Sequence, residues 1–170
     1  GSIDYAIYNL KIPILIIMGH SHCGAIRTVF TNYDDQPFDI IRELDHLAIP
    51  IKHIKHQYHD FEREWLRVTE VNLDYQIKLA VKKYQKLIAE KSLLVLGIVN
   101  DFANFYKKGE GRLIIVNVNG EINPNINRKN PVFNAFEPEL KLQMFARSTL
   151  NRNEIFYGSI GSEDELNDPA

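Results

Sequence analysis

The stretch that decides the fold is Ile12–Met18, Ile-Pro-Ile-Leu-Ile-Ile-Met, followed at once by Gly19–Ala25, Gly-His-Ser-His-Cys-Gly-Ala. The first part is apolar at nearly every position, which is typical of a strand buried on both faces of a parallel sheet. The flanking glycines predict a sharp turn out of this strand and into a short helix over Gly24 to Phe30. Parallel α/β sheets place their sites at the carboxyl ends of strands. The sequence therefore predicts an α/β fold with a functional site at this junction.

Two later runs rich in Ile, Val and Leu also predict strands, at Ser92 to Val99 and at Arg112 to Val118. The second run alternates more and is followed by Asn119-Gly120, a turn signal that indicates an edge strand. Helical patterns separate the strands, and such alternation predicts a mostly parallel sheet flanked by helices.

The strongest helical pattern spans Asn72 to Glu90, where apolar residues recur at helical spacing with lysines opposite. The other predicted helices are Ile3 to Leu10 with Ser2 as N-cap, Asp39 to Leu47, a polar stretch from about Ile51 to Arg67, and Pro138 to Arg147.

Length and composition predict one globular α/β domain over residues 1–160 and an acidic disordered tail over 161–170. The net charge of −2 and the absence of a basic stripe argue against a nucleic-acid partner. No apolar run reaches the length needed to cross a bilayer. A single cysteine cannot form an internal disulfide, so we expect a reducing, cytoplasmic location.

His20 and Cys23 are the candidate metal ligands. A histidine and a cysteine three residues apart can converge on one cation where a loop turns into a helix, and zinc takes both ligand types. A helix N-terminus also stabilises a thiolate.

The residues around this pair resemble the β-class carbonic anhydrases, whose second zinc motif is G-H-x-x-C-G-[AG] after a hydrophobic strand. A helix similar to S-[IL]-[DE]-Y-A-[IV] precedes that strand, and this chain has Ser-Ile-Asp-Tyr-Ala-Ile at residues 2–7. Asn-Leu-Asp-Tyr-Gln-Ile at 72–77 and the apolar run containing Gly97 resemble the family's later helix and strand. The third strand, with Asn119-Gly120-Glu121, fits the last parallel-type strand of the family. The likeness fades across residues 31–67 and after Asn123.

The resemblance implies a β-carbonic-anhydrase-like fold, a Zn²⁺ ion held by His20 and Cys23, and reversible hydration of carbon dioxide to bicarbonate. It also implies a homodimer or higher homo-oligomer. The family's first zinc motif, C-x-D-S-R, is absent from this chain, as are the strands that carry it. The zinc site is thus incomplete here, and we expect the chain alone to have little or no activity. A truncated chain is favoured over a diverged relative completed by a partner, because the first strand would otherwise expose an unpaired apolar edge.

Two other functions remain open. The chain is, alternatively, a non-catalytic, metal-free binding or subunit module on the same scaffold. In a third interpretation, Cys23 is a redox or nucleophilic thiol of an unrelated α/β domain.

Other residues carry weaker signals. Asp101, at the end of the second strand, is a candidate catalytic, cleft-lining residue or a turn-capping one. His22 is either a proton shuttle, an alternative ligand or a variable loop position. Four further histidines form a second cluster along the chain: His46, His53, His56 and His59. The alternatives for this cluster are a second metal site and a polar helix that lies on the surface.

Overall fold

The computed structural model describes residues 1–52, 54 and 60–148, and within them three strands form one sheet. The strands are β1 (Ile14–His20), β2 (Leu94–Asp101) and β3 (Arg112–Val118), in the order β1-β2-β3. β1 and β2 are parallel, which confirms the α/β class. β3 runs antiparallel to β2, so the prediction of a parallel third strand was wrong. The short connection between β2 and β3 cannot make the crossover that a parallel pair requires.

The register of β1 against β2 brings the ends of both strands level at the predicted site. Ile14 pairs with Leu94, and His20 pairs with Asn100. Both strands therefore run two residues beyond their predicted ends, because the ladder continues through the residues that follow the apolar runs. β3 has the predicted bounds.

Helices connect and flank the strands. Within the described ranges they are α1 (Ser2–Asp4) continuing as a π-helical turn (Tyr5–Asn9), α2 (Gly24–Thr31), α3 (Phe38–Ile51), α4 (Phe61–Lys83), α5 (Gln85–Ala89), α6 (Pro124–Asn127), a 3-10 turn (Pro131–Phe133) and α7 (Pro138–Met144).

Several helix boundaries differ from the prediction. The predicted helix over 51–67 does not form as one unit, because α3 ends at Ile51 and α4 begins after Asp60. The Asp60 carboxylate accepts hydrogen bonds from the backbone N–H groups of Glu62 and Arg63, which makes it the N-cap of α4. Ser2 is not an N-cap, since Gly1 occupies that position. The Asn72–Glu90 pattern is divided between α4 and α5 at Tyr84, and the last predicted helix ends at Met144.

α4 packs across one face of the sheet. Its buried side chains meet those of all three strands in the largest apolar cluster, which includes Leu66, Leu73, Ile77, Val95, Val99, Ile114 and Val116. The 3-10 turn and the end of α7 cover the opposite face of β2 and β3, through Leu96, Ile98, Ile115, Phe133 and Phe145.

β1 differs from the other strands because only one of its faces is covered. Leu15 and Ile17 pack toward α4, whereas Ile14, Ile16 and Met18 are 46%, 49% and 54% exposed. The predicted burial on both faces is therefore wrong for β1 among the described residues. Within the described residues β1 forms one edge of the sheet, and its three exposed side chains lie beside the covered face of β2.

A buried ionic network joins α4 to the segment after α7. The Arg147 guanidinium lies 3.1 Å from Glu70 Oε2 and donates two hydrogen bonds to Asp74. Glu70 also accepts hydrogen bonds from the hydroxyls of Tyr106 (2.6 Å) and Ser148. Burial raises the pKa of Glu70, and the positive charge of Arg147 opposes that effect.

Some predictions cannot be compared with the structure. His53, His56, His59 and the predicted tail over 161–170 lie outside the described residues. Among the described helices, none is long and apolar enough to span a bilayer.

Candidate metal centre

The two predicted ligands lie at either end of one turn at the carboxyl end of β1. His20 is the last residue of the strand, and Cys23 is the N-cap residue of α2. The turn between them holds His22 in a left-handed conformation, with φ of 57°. The sequence prediction of a strand, a turn and a helix is correct here, and the turn keeps both residues at the same end of the sheet.

The imidazole of His20 is oriented by the residue that follows it. Its Nδ1 lies 2.9 Å from the backbone oxygen of Ser21. A carbonyl oxygen only accepts hydrogen bonds, so Nδ1 carries the proton and Nε2 carries the free lone pair. Metal-binding histidines are commonly held in this way, with one ring nitrogen donating to a carbonyl and the other facing the ion. The exposed ring of His20 therefore presents Nε2 as its ligand atom.

Cys23 is half-buried at the start of α2. It packs against an apolar cluster of Ile26, Ile51, Trp65 and Val68. The partial positive charge at a helix N-terminus favours an anionic ligand such as a thiolate. Cys23 therefore lies at a helix N-terminus with its side chain partly accessible.

Two buried residues hold the turn in place, and the sequence analysis had identified neither as part of the site. Ser21 is 1% exposed; its N–H donates to the Asn100 carbonyl oxygen at 3.0 Å, and its Oγ accepts from the Ala103 N–H at 3.1 Å. Trp65, on α4, donates from Nε1 to the Cys23 carbonyl oxygen at 2.9 Å. A serine in a turn and a tryptophan in a helix carry no local signal for these contacts.

His22 packs against α4 and the segment that follows β2. Its ring centroid is 5.0 Å from those of Trp65 and Phe105, and its Nε2 is 3.7 Å from Glu62 Oε1. Its role as a shuttle, ligand or loop residue remains a prediction.

Asp101 is completely buried at the end of β2. Its two carboxylate oxygens accept hydrogen bonds from the backbone N–H groups of Phe105 and Tyr106, at 3.0 and 2.9 Å. This geometry favours the turn-capping role over the cleft-lining catalytic role. Asn100, the register partner of His20, has a buried Oδ1 with no hydrogen-bond partner within the described part of the chain.

The donor set suits zinc in kind but is short in number. An imidazole nitrogen and a thiolate are both zinc ligands, but zinc sites in proteins usually have at least three protein ligands. Across residues 1–52, 54 and 60–148, no group of three or more His, Cys, Asp or Glu side chains is placed to hold one ion. His46 lies exposed on α3. The described residues therefore offer His20 and Cys23 as candidate ligands and no third side chain beside them.

Comparison with known proteins places the chain in a family. The family model described as carbonic anhydrase matches residues 1–110. A carbonic anhydrase of Mycolicibacterium smegmatis is 33% identical over 52 residues, which is 29% of this chain and 25% of that protein. A tetrameric β-carbonic anhydrase of the ascomycete Sordaria macrospora superposes with a TM-score of 0.57 at 22% identity, covering 67% of this chain and 57% of that one.

The strand, turn and helix described above define an α/β protein with a histidine–cysteine turn at the carboxyl end of a parallel strand. The chain belongs to the β-carbonic anhydrase family, which confirms the resemblance. It spans a quarter of the curated relative and little more than half of the structural neighbour.

Proposed function

We propose that this chain carries two ligands of a carbonic anhydrase zinc site, His20 through Nε2 and Cys23 through Sγ. The whole protein would catalyse the reversible hydration of carbon dioxide to bicarbonate. The observation that carries the proposal is the 2.9 Å hydrogen bond from His20 Nδ1 to the Ser21 carbonyl, because it leaves Nε2 available beside the helix that begins with Cys23. Zinc in such a site lowers the pKa of water toward about 7 and so supplies hydroxide at neutral pH.

The remaining ligands would come from a strand beside β1. β1 has no neighbour on its outer edge among the described residues, and Ile14, Ile16 and Met18 leave its open face apolar. A strand added parallel to β1 would end level with His20, as β2 does. Its last residues would then lie close to the two ligands. The assembly of the structural neighbour, a tetramer, supports a homodimer or higher homo-oligomer for the whole protein.

A cobalt titration tests the ligand assignment. Co²⁺ replaces zinc in sites of this kind, and a thiolate ligand adds an intense near-ultraviolet charge-transfer band. We expect the band in the unsubstituted chain, its loss in Cys23→Ser, and a weakened affinity in His20→Ala. His46→Ala, which removes an exposed histidine from α3, is the matched control and should bind as the parent does. Equal binding by all three variants would refute the assignment.

A stopped-flow assay of carbon dioxide hydration, with saturating zinc, tests the incomplete site. Because two protein ligands hold zinc weakly, the chain alone should show no more activity than the free ion. Adding a second polypeptide that contains C-x-D-S-R should raise the rate. Strong hydration by the chain alone would contradict the proposal that ligands are missing.

A second candidate function is a metal-free binding or subunit module on the same scaffold. It is favoured by one observation, that the described residues bring no third His, Cys, Asp or Glu side chain to His20 and Cys23. A stable, folded chain with no charge-transfer band and no zinc by elemental analysis would support this alternative. The third interpretation, a reactive thiol, predicts instead rapid alkylation of Cys23 at neutral pH.

A further inference from the structure

We infer that Trp65 is a positioning residue for Cys23, and that α4 thereby fixes the metal-ligand turn from outside the motif. The inference rests on the proposed function, since it concerns how one ligand of that site is held. Trp65 is 9% exposed and lies on the first turns of α4. Its indole N–H donates to the Cys23 carbonyl oxygen, across 42 positions of sequence.

The Cys23 carbonyl is held by two donors at once. The Arg27 N–H donates to the same oxygen at 3.0 Å, which is the first hydrogen bond of α2. The Trp65 indole N–H donates at 2.9 Å from a different helix. The first bond fixes this peptide relative to α2, and the second fixes it relative to α4. The direction in which the Cys23 side chain leaves the backbone is therefore set by the packing of α2 against α4.

Trp65 is itself held on several sides. The Arg27 guanidinium lies 5.5 Å from the indole ring, and the His22 ring lies 5.0 Å from it on the motif turn. α4 also passes close to the end of β1, because a Cβ atom at Gly19 would lie 3.3 Å from Thr69 Cγ2. With the helix and the ring both constrained, the indole N–H is a rigid support for the ligand turn.

The test compares two variants by cobalt binding and thermal unfolding. Trp65→Phe keeps an aromatic ring but removes the N–H donor, so we expect roughly tenfold weaker Co²⁺ binding, the lower end of what outer-shell changes cost. The charge-transfer band should also shift, because the thiolate meets the ion at a different angle. Ile114→Val, in the core on β3, is the control for stability alone. It should lower the melting temperature but leave the Co²⁺ affinity and the band unchanged.

A metal-free measurement tests the hydrogen bond separately. The chain contains one tryptophan, so one indole N–H resonance reports on the contact. Its exchange with solvent should be slow in the unsubstituted chain and should quicken when α4 is loosened by Asp60→Ala.

The outcomes separate this inference from the proposed function. Unchanged affinity and band in Trp65→Phe, an equal loss in Ile114→Val, or rapid indole exchange would overturn the positioning role while the ligand assignment stands. The absence of any thiolate band in the unsubstituted chain would refute the ligand assignment, and the positioning role with it.

Discussion

Gly97 sits where α4 crosses the middle of β2, and we predict that even a methyl group there destabilises the protein. A Cβ atom at this position would lie 2.3 Å from Ile77 Cδ1, 3.0 Å from Asn117 Cβ and 3.5 Å from Leu73 Cδ2. Ile77 is completely buried, so its side chain has little room to withdraw. Overpacking of this kind costs about 1–3 kcal/mol. Gly97→Ala should therefore lower the free energy of unfolding by an amount in that range.

The clash with Ile77 predicts a specific rescue. Ile77→Val removes the Cδ1 atom and alone costs about 0.5–1.5 kcal/mol. If the two changes were independent, the double variant would lose about 1.5–4.5 kcal/mol, the sum of the two ranges. We expect the double variant to lose only about as much free energy of unfolding as Ile77→Val alone, plus a small additional loss from the Asn117 contact. The coupling should then be about 1–2 kcal/mol in favour of the double variant.

Urea unfolding followed by Trp65 fluorescence measures all four proteins, since this is the single tryptophan. Gly24→Ala is the matched control, because nothing lies within 4 Å of a Cβ atom there. It should leave the unfolding midpoint unchanged or raise it. Additive losses in the double variant, or a Gly97→Ala protein as stable as its parent, would refute the argument that α4 is seated directly on this glycine.

Two further predictions concern charged groups. Asp4 accepts a hydrogen bond from Lys83, which holds the pKa of the Asp4 carboxyl below its ordinary value of 3.8. The stabilising contribution of this carboxylate is present above pH 3.8 and is lost as the pH falls through the lowered pKa. The urea midpoint of Asp4→Asn should thus lie below that of the parent at pH 6, and the difference between the two midpoints should shrink below pH 3.8. A difference that does not change with pH would contradict this prediction. Arg147→Met should cost about 3–5 kcal/mol because Glu70 and Asp74 stay buried without their cation. Burial already raises the pKa of the Glu70 carboxyl, and removing the positive charge of Arg147 should raise that pKa further. The carboxyl can then take up a proton at pH 5, whereas neutralising it at pH 8 costs more free energy. The loss of unfolding free energy should therefore be larger at pH 8 than at pH 5. A loss of less than about 1 kcal/mol of unfolding free energy at both pH values would refute the prediction for Arg147→Met.

The strand, turn and helix around His20 and Cys23 were predictable because their signal is local. An apolar run predicts a strand, and glycines predict the turn. The bounds of β3 were predicted without error for the same reason. The antiparallel direction of β3 was not predicted. The prediction followed the resemblance to a parallel-type strand, whereas the short connection from β2 dictates the direction.

Apolar composition alone misled for β1. An Ile-rich run can be buried on both faces only if neighbours cover both, and the run itself does not contain those neighbours. Among the described residues, the face of β1 that carries Ile14, Ile16 and Met18 is exposed.

The α/β class and the positions of the strands to within two residues followed from the amino-acid sequence alone, which also predicts His20 and Cys23 as a ligand pair. Each of these depends on residues that are neighbours along the chain. The tertiary structure alone shows that the Ser21 N–H donates to the Asn100 carbonyl, that the Trp65 indole donates to the Cys23 carbonyl, and that Arg147 pairs with Glu70. Contacts with α4 and across the sheet join residues far apart in sequence, and such contacts exist only once α4 has docked on the sheet.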